Sequence, residues 1–457
     1  MIVMPGSEEF RAARERLRAE YASIPRDQPV RLAKQTSNLF RVRDSARRAG
    51  LDVSAFAGVL SVDPAARTAD VLGMTTYEEL VDVTLAYGLM PLVVPQLKTI
   101  TLGGAVTGLG IESTSFRNGC PHESVVEMEI LTGDGRVVVA TADNDHRDLF
   151  HGFPNSYGTL GYALRLTIEL EPVLSYVELT HVRFHDSAAY FDAIARVVDQ
   201  HEWDHRRVDF VDGTVFGDDE HFMTLGRFVP DAPYTSDYTG NEIYYRSIRS
   251  RSRDFLTVRD YLWRWDTDWF WCSRALGVQH RLVRPLIPRQ YLRSDSYWKV
   301  VGFERRHGYV ASLQRRRGQP EREAVIQDVE IPVSRAAEFL EAFHEQIGIA
   351  PVWVCPLRNR SDAPWDLYRL DPQSTYVNFG FWSTVALAPG EPDGTHNRRI
   401  ERLVADLGGR KSLYSSSYYD EDEFWATYNG PSYDILKKTY DPDARLLDLY
   451  AMCVKSR

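Results

Sequence analysis

The stretch around residue 105 places glycines beside hydroxyl side chains. It contains Gly103, Gly104, Gly108 and Gly110, flanked by Thr99, Thr101, Thr107 and Ser113. Because glycine has no Cβ, its backbone N–H can come close to an anionic oxygen, and neighbouring hydroxyls add further donors. The pattern suits a pyrophosphate, although a packing turn of small residues explains it equally well.

A second glycine-rich segment, Gly152–Gly161, leads into a long alternating stretch. Close approach of a ligand to its backbone and a simple bulge or tight turn both stay open as explanations. Neither segment has the G-x-G-x-x-G spacing of a Rossmann site or the Gly-Lys-Ser/Thr of a P-loop. The sequence also lacks H-E-x-x-H, G-x-S-x-G and an EF-hand loop, so hydrolases, kinases and metalloproteases lose their usual support.

The elements that must position these segments follow from the spacing of apolar residues. The pattern predicts helices over 8–21 and 75–87, hairpins over 59–73 and 125–141, and a strand over 159–171. Thr75 or Thr76 is the predicted N-cap of the second helix. The strand alternates strictly between apolar and small or polar residues, which predicts one buried face.

After Pro172 the pattern changes to strands interspersed with helices. Helices are predicted near 188–201, 334–347 and 396–407, and strands near 208–216, 221–229, 324–332, 351–357 and 375–383. This order predicts an antiparallel sheet with helices, an α+β unit. Between them, residues 246–293 contain eleven arginines, four aspartates and four tryptophans: Trp263, Trp265, Trp269 and Trp271.

Composition places the chain among ordinary globular proteins of two or three packed units. It has 457 residues and a net charge of −10, so binding to nucleic acid is not indicated. Its four cysteines form no CxxC pair, which indicates neither a zinc site nor a redox dithiol and suits a cytoplasmic protein with reduced thiols. No signal peptide and no apolar run long enough for a transmembrane helix are expected, but surface contact with a membrane stays open.

Four landmarks in order resemble a known family. They are Pro-x₅-Thr-x-Gly-Gly at 95–104, Gly-x-Gly-x-x-Ser at 108–113, Gly-x-x-x-Glu at 119–123 and Tyr-Gly-Thr-Leu-Gly at 157–161. With the hairpin between them, residues 20–173 resemble the FAD-binding domain of the vanillyl-alcohol-oxidase/p-cresol-methylhydroxylase (PCMH) type. Δ24-sterol reductases are a closer resemblance, carried by residues 102–113, 353–357, 414–425 and 440–443.

The chain resembles most closely the bacterial reductases that convert a methylene-branched fatty acyl chain into a methyl-branched one, as in 10-methylstearic (tuberculostearic-type) lipids. Residues 37–41, 96–101, 153–157 and 263–272 carry this resemblance. It implies an α+β fold with three parts. A two-subdomain PCMH-type FAD-binding domain covers 1–173. A substrate (cap) domain covers 174–410, with a basic aromatic insertion at 246–300, and a C-terminal segment, 411–457, returns to the FAD site.

The resemblance also implies a set of FAD-binding residues. Residues 34–41 would form the first phosphate loop, and the tail would close over the ring. The implied set is Lys34, Thr36, Ser37, Asn38, Gln96, Thr99, Thr101, Gly103, Gly104, Thr107, Gly108, Gly110, Ser113, Glu123, Thr159, Gly161, Lys411 and Tyr414. The first loop lacks the histidine that many relatives attach to the flavin, so non-covalent FAD is expected.

The implied reaction is reduction of an isolated carbon–carbon double bond, with NADPH as the electron donor. An isolated alkene needs an acid and a dry apolar pocket, because no carbonyl stores the developing charge. Candidate acids are Glu112, His122, Tyr376 and Tyr414, and a structural role as a holder of backbone is the competing explanation for each. Arg117 or Arg358 is the hypothesis for the residue that holds the NADPH phosphate.

Other functions stay open at this point. A sterol side-chain reductase differs only in the shape of its pocket. A sugar or alcohol oxidase of the same fold would need a base beside the flavin, and a non-catalytic flavin protein would serve as the partner of a methyltransferase. Residues 281–293 interleave arginines with apolar residues, which suits peripheral contact with anionic phospholipid at the inner face of the membrane and equally an ordinary solvated loop.

Overall fold

The computed structural model describes residues 2–3, 7–33, 49–307 and 318–455. The strands of the first part are β1 Ile2–Val3, β2 Val30–Leu32, β3 Ala49–Leu51, β4 Val59–Asp63, β5 Thr68–Leu72, β6 Leu89–Pro91, β7 Val125–Thr132, β8 Val137–Ala140 and β9 Gly161–Pro172. Seven of them form one sheet in the order β1-β4-β5-β9-β7-β8, with β6 paired to β9. Strands β2 and β3 form a separate parallel pair.

Strand β9 is the centre of this first sheet and confirms the predicted alternation. Leu166 and Ile168 are completely buried, whereas Arg165 points to the other face and binds Asp70 at 2.8 Å. The strand begins at Gly161, where the backbone φ of 155° and the nearby carbonyl of Leu131 leave no room for a Cβ. Gly161 is therefore required by the packing of β9 on β7.

The predicted helices and hairpins of this part are confirmed. Its helices are α1 Ser7–Ser23, α2 Tyr77–Leu85, α3 Leu102–Gly108, α4 Ser115–Asn118 and α5 Arg147–Gly152. Thr76 caps α2 by accepting a hydrogen bond from the N–H of Glu79 at 3.3 Å. Strands β4 and β5, and β7 and β8, form the two antiparallel pairs expected from their turns.

The second part is an antiparallel sheet with helices, and the fold is α+β as predicted. Eight strands run in the order β15-β10-β14-β13-β17-β18-β16-β19. They are β10 Tyr176–Phe184, β13 Phe210–Gly217, β14 Glu220–Val229, β15 Arg253–Thr257, β16 Arg322–Pro332, β17 Val352–Leu357, β18 Tyr376–Ala386 and β19 Arg410–Lys411, while β11 Glu202–Trp203 and β12 Arg206–Arg207 form a short hairpin. The helices are α6 Ser187–Gln200, α7 Tyr244–Ser247, α8 Val258–Leu262, α9 Ser294–His307, α10 Ala336–Gln346 and α11 Thr395–Asp406.

One core lies between the second sheet and helices α6, α10 and α11. Phe339 and Phe343 of α10 pack against Phe379 and Phe381 of β18. The other face of this sheet looks toward the first part of the chain, and it joins the tryptophan-rich insertion in a second, larger core. One face of the sheet is thus covered by helices α6, α10 and α11, and the opposite face lies toward the part of the chain that contains the glycine-rich segments.

The C-terminal residues, including α12 Glu421–Thr427 and α13 Gly430–Tyr440, return to the first part of the chain. The ammonium of Lys437 donates to the carbonyl of Thr159 at 2.8 Å, and a Cβ at Gly152 would overlap the side chain of Leu436. The predicted boundary at 410/411 falls within β19, which pairs with β16. Among the described residues, no helix is long and apolar enough to cross a membrane.

Candidate functional site

One face of α3 borders open space and carries most of the predicted hydroxyl and glycine residues. Thr101, Gly104 and Thr107 are partly exposed, while Leu102 and Val106 of the same helix are buried. Thr101 caps the helix, since its Oγ1 accepts from the N–H of Gly104 at 3.2 Å. The N–H groups of residues 102–105 are already bonded within the protein, so this face offers a ligand hydroxyl groups and bare glycine surface rather than a free helix N-terminus.

Packing alone explains one glycine of this cluster. The N–H of Gly103 donates to the carbonyl of Gly73 at 2.9 Å, and a Cβ there would lie 2.8 Å from the same oxygen. Gly103 thus fits the alternative of a tight packing turn. The partly exposed Gly104 and Gly108 remain the positions at which a ligand can approach the backbone.

The two glycine-rich segments meet at Tyr157. Its N–H donates to the carbonyl of Thr107 at 3.0 Å, and its hydroxyl donates to the carbonyl of Gly108 at 2.7 Å. The backbone of Tyr157 has a φ of 52°, and that of Gly158 has a φ of 80°. This left-handed turn folds the second segment back against the first, so that both segments line one cleft.

Three buried polar atoms beside this cleft have no protein partner. They are Nε2 of Gln96, which precedes the first glycine cluster, and Oδ1 of Asn155 and Oγ of Ser156 in the second segment. A buried polar group without a partner costs roughly 1–3 kcal/mol, so these atoms favour a bound ligand rich in donors and acceptors. The pyrophosphate and ring edges of FAD have that character, and these residues fit FAD.

Of the predicted FAD-binding residues, Lys34, Thr36, Ser37 and Asn38 lie outside the described residues. Gln96, Thr99, Thr101, Gly104, Thr107, Gly108 and Gly110 lie on or beside the cleft segments described above. That they contact FAD stays a prediction. Asn155 and Ser156 were not predicted, although they stand inside the second glycine-rich segment.

Several predicted side chains bind the protein itself. Glu123 accepts from the N–H groups of Cys120 at 3.0 Å and Arg360 at 2.7 Å. The ammonium of Lys411 is buried and donates to Glu401 and to the carbonyl of Ser416. Thr159 donates to the carbonyl of Ser156 at 2.7 Å. These side chains hold the walls of the cleft in place.

Glu112 is tied into a buried ionic network. Its Oε1 accepts from the hydroxyl of Ser113 at 2.6 Å and from Arg264 at 3.2 Å, and Arg264 also binds Asp212 at 2.7 Å. Asp212 accepts from the indole of Trp265 at 3.2 Å. Burial raises the pKa of Glu112, and Arg264 acts in the opposite direction. The network joins the first glycine segment to the tryptophan-rich insertion, which favours a structural role.

His122 is buried against Trp365, with ring centroids 4.4 Å apart. Burial lowers the pKa of His122 to about 3, so the imidazole is neutral near pH 7. A neutral imidazole is a weak acid, so the geometry disfavours His122 as the proton donor. Tyr376, the first residue of β18, is also buried, and its hydroxyl accepts from the N–H of Asp371 in the preceding loop at 3.2 Å.

Tyr414 is the predicted acid that borders the cleft. Its hydroxyl accepts from the indole of Trp382 at 2.9 Å and is hydrogen-bonded to Asp328, and Tyr157 lies near enough to raise its pKa. Tyr157, Asp328, Trp382 and Tyr414 all keep partial exposure. Tyr414 therefore lies between the glycine segments and β18.

Sequence analysis missed Asp328, whose carboxyl group lies beside Tyr414, and a second carboxyl group, that of Glu330, which binds Tyr368 and Ser412. Asp328 and Glu330 stand at positions i and i+2 of β16 and so share one face of the strand. Burial raises the pKa of Asp328 to about 7 and that of Glu330 to about 8. Two acids at alternate positions, between Val325, Val329 and Ile331 of the same strand, were a visible sign, because burying a carboxylate is costly unless it is paired or hydrogen-bonded.

An aromatic wall closes the other side of Tyr414. Phe270 stacks on Trp382 with ring centroids 4.3 Å apart and on Trp265 at 4.9 Å. Trp271 also packs against Trp382, at 5.5 Å. The insertion is therefore part of the cleft wall, which is apolar next to a chain of hydrogen-bonding groups.

Comparison with known proteins agrees with this geometry. Residues 15–141 match the family model of an FAD binding domain. The chain is 25% identical to the Delta(24)-sterol reductase of Arabidopsis thaliana over 454 residues, which is 90% of this chain and 78% of that protein. It is 25% identical to the human Delta(24)-sterol reductase over 402 residues, 83% of this chain and 73% of that protein.

A shorter match is confined to part of the chain. Cytokinin dehydrogenase 5 of Arabidopsis thaliana is 27% identical over 150 residues, which is 33% of this chain and 27% of that protein. The likeness to this dehydrogenase thus covers a third of the chain, whereas the likeness to the sterol reductases extends over most of it. The chain is an FAD-dependent oxidoreductase that is similar to Delta(24)-sterol reductases over most of its length.

Proposed function

We propose that this protein reduces an isolated carbon–carbon double bond in a lipid, with NADPH as the source of electrons. The observation that carries the proposal is the Tyr414 hydroxyl, which is held by Trp382 of β18 beside an aromatic wall and lies near Tyr157 of the second glycine-rich segment. The likeness to sterol reductases supports the same reaction class. Bound FAD would supply the hydride, and Gln96, Asn155 and Ser156 would help to hold it.

The side chains of the cleft match the needs of an isolated alkene. The Tyr414 hydroxyl can give a proton to the terminal alkene carbon, and the more substituted carbon then develops positive charge. Trp382 is partly exposed and can present an aromatic face, which stabilises a nearby cation by up to about 2 kcal/mol when water is excluded, whereas Phe270 is stacked between Trp265 and Trp382 and supports Trp382 from behind. The wall also keeps water from trapping that charge.

The substrate we favour is the 10-methylene fatty acyl chain of a phospholipid, which would become a 10-methyl chain. The sequence motifs shared with methylene-fatty-acyl reductases support it. A sterol with a Δ24 side chain is the second candidate, supported by the curated relatives. Both substrates present a branched alkene on an apolar chain, so the aromatic wall suits either.

We further propose that the protein works at the cytoplasmic face of a membrane, as a partner of the methyltransferase that makes the methylene lipid. An apolar surface beside the insertion supports this location. Its exposed side chains are Leu282, Leu286, Tyr291, Val300 and Phe303, and Arg281, Arg289 and Lys299 are exposed near them in the chain. Basic residues beside exposed apolar ones favour anionic lipid, each adding on the order of 1 kcal/mol near the surface.

Not every arginine of 281–293 is available for lipid. Arg284 is buried and makes a bidentate ion pair with Asp268, at 2.6 and 2.9 Å. The hypothesis for the NADPH phosphate also needs correction. Arg117 is bidentate to Glu171, and Arg358 binds Asp199 and Thr375, so neither guanidinium is poised for an external phosphate.

The test is an anaerobic assay of the FAD-loaded protein with NADPH and each candidate lipid. Bleaching of the flavin absorbance by NADPH, followed by its return when a lipid is added, supports a reductase. Mass spectrometry then identifies whether a 10-methylene phospholipid or a Δ24-sterol gains two hydrogens. Bleaching without reoxidation by either lipid contradicts the proposal, and failure to bleach favours the non-catalytic flavin protein.

A further inference from the structure

Three side chains form a hydrogen-bonded row across the cleft. The indole N–H of Trp382 on β18 donates to the hydroxyl oxygen of Tyr414 at 2.9 Å, and the Tyr414 hydroxyl is hydrogen-bonded to Asp328 on β16. Strands β16 and β18 are paired along their whole length, with Ile326 opposite Trp382 and Asp328 opposite Gly380. The row is therefore fixed by the register of two neighbouring strands.

The ends of the row are held from both sides. A Cβ at Gly380 would lie 2.5 Å from Oδ1 of Asp328, so the absence of a side chain there makes room for the carboxyl group. Asn378 donates to the same oxygen at 3.3 Å. At the other end, Trp382 is fixed by stacking on Phe270. Neither Asp328 nor Trp382 can swing away without disturbing the sheet.

The direction of the Tyr414 hydrogen depends on the proton of Asp328. When Asp328 is ionised, it can only accept, so the hydroxyl hydrogen of Tyr414 points toward it. When Asp328 is protonated, its O–H can donate to the Tyr414 oxygen, and the Tyr414 hydrogen turns away from Asp328. The second arrangement is the one in which Tyr414 can give its proton to a bound substrate.

We propose that Asp328 is the positioning residue that aims the Tyr414 proton at the substrate and replaces it after transfer. The inference deepens the proposed function and rests on it. Tyr414 is the group that touches the alkene, and Asp328 acts through Tyr414. Two proton transfers are coupled, one from Tyr414 to the alkene and one from Asp328 to the tyrosine oxygen. The group that has lost a proton at the end is therefore the carboxylic acid of Asp328 and not the phenol of Tyr414.

The atoms balance in this scheme. The O–H bond of Tyr414 breaks as a C–H bond forms at the terminal alkene carbon, and the O–H bond of Asp328 breaks as its proton moves to the tyrosine oxygen. Bound reduced FAD would supply the hydride that completes the second C–H bond, with NADPH as the reductant that the proposed function names. Asp328 is left as a carboxylate, which regains a proton from water.

The surroundings of Asp328 fix the pH at which this can operate. Burial raises its pKa to about 7, and the hydrogen bonds from Asn378 and Tyr414 act in the opposite direction. Of the other groups that face it, Glu330 has a pKa raised to about 8 and Cys355 one raised well above its usual range. The ammonium of Lys411, on the neighbouring β19, is bound to Glu401. Asp328 is thus protonated below about pH 7 and ionised above it.

The experiment combines turnover with infrared spectroscopy on the FAD-loaded protein. We expect wild-type alkene reduction to fall as pH rises through 7. In Asp328→Asn we expect a rate roughly 10- to 100-fold lower and no decline near pH 7, with flavin reduction by NADPH unchanged. Glu330→Gln is the matched control, since Glu330 shares the face of β16 but binds Tyr368 and Ser412. The rate of alkene reduction by Glu330→Gln should therefore still fall as pH rises through 7.

The infrared measurement does not depend on substrate. A carboxyl stretch that disappears with a midpoint near pH 7 should be present in wild type and in Glu330→Gln and absent from Asp328→Asn. If Asp328→Asn does not fold, Tyr414→Phe serves instead. Because the Tyr414 hydrogen bond lowers the pKa of Asp328, its loss should move the midpoint to higher pH.

The outcomes separate the two proposals. The role of Asp328 is overturned if the carboxyl stretch with a midpoint near pH 7 is still present in Asp328→Asn, or if Tyr414→Phe does not move that midpoint. It is also overturned if the rate of alkene reduction in Asp328→Asn still falls as pH rises through 7. If wild type shows the expected stretch but turns over no lipid, the proposed function fails instead.

Discussion

Arg264 and Asp212 are both almost fully buried, and their side chains meet at 2.7 Å between the tryptophan-rich insertion and β13. Asp212 also accepts from the indoles of Trp265 and Trp353, and Arg264 also binds Glu112. One pair thus joins the first glycine segment, the insertion and the second sheet. The cleft keeps its shape because these three parts share a single buried charge network.

The first prediction concerns this pair. Asp212→Ala leaves the buried positive charge of Arg264 with Glu112 as its remaining carboxylate partner. The free energy of unfolding should therefore fall by about 3–5 kcal/mol. Chemical denaturation of the two proteins measures the difference. Asp237→Ala is the matched control, because its pair with Arg289 is exposed and should contribute less than about 1 kcal/mol. Equal losses in the two variants would contradict the importance of the buried pair.

The second prediction separates two candidate acids. Tyr414→Phe removes the hydroxyl that borders the cleft, so the rate of alkene reduction should fall by about 10²- to 10⁴-fold while FAD stays bound. Glu112→Gln keeps the hydrogen bond from Ser113 available and leaves Arg264 paired with Asp212, so its rate should stay within about tenfold of wild type. Single-turnover reoxidation of the reduced flavin measures both rates. Loss of activity in Glu112→Gln alone would make Glu112 the acid.

The third prediction tests the unpartnered atoms of the cleft. Ser156→Ala removes a buried hydroxyl with no protein partner, so the protein without FAD should lose no stability. Its affinity for FAD should fall by roughly two- to tenfold, which corresponds to one hydrogen bond. Thr214→Val is the control, since the Thr214 hydroxyl is equally buried and unpartnered but lies on β13 of the second sheet. Flavin fluorescence titration and thermal unfolding supply the two measurements.

The fourth prediction concerns the apolar surface. Leu286 and Phe303 are 80% and 56% exposed, so changing both to Glu should not disturb the core. Binding to vesicles of anionic phospholipid should fall at least tenfold in co-sedimentation, because apolar insertion is replaced by repulsion. Ile435→Glu is the control, at 65% exposure on α13. Equal binding of all three proteins would remove the membrane contact from the proposal.

The sequence predicted the fold well where the spacing of apolar residues was regular. Strand β9 and helices α1 and α2 follow directly from alternation or helical spacing, and the change of pattern at Pro172 marked the start of the second sheet. Strand β19, at the predicted boundary near 410, was not predicted, because it has only two residues and pairs with a strand far away in the chain. A strand of two residues is stabilised by its pairing with β16, and this pairing has no signal in the local sequence.

The site was predictable only in part, for a similar reason. Each glycine-rich segment is a run of neighbouring residues, so the sequence motifs could identify both segments that meet at Tyr157. The roles of Glu112, Glu123 and Lys411 depend on partners such as Arg264, Arg360 and Glu401, which spacing along the chain does not reveal. Asp328 was missed because its contact with Tyr414 and its place near Trp382 depend on how distant segments pack, and Glu330 was missed because its partners, Tyr368 and Ser412, are also far away in the chain.

The bond between Lys437 and the carbonyl of Thr159 joins two segments that lie 278 positions apart in the chain. The entrance of β9 is therefore completed by α13, and neither segment has all of its contacts until both have folded together. Loosening of α13 would also loosen the entrance of β9, so the two should unfold in one cooperative transition.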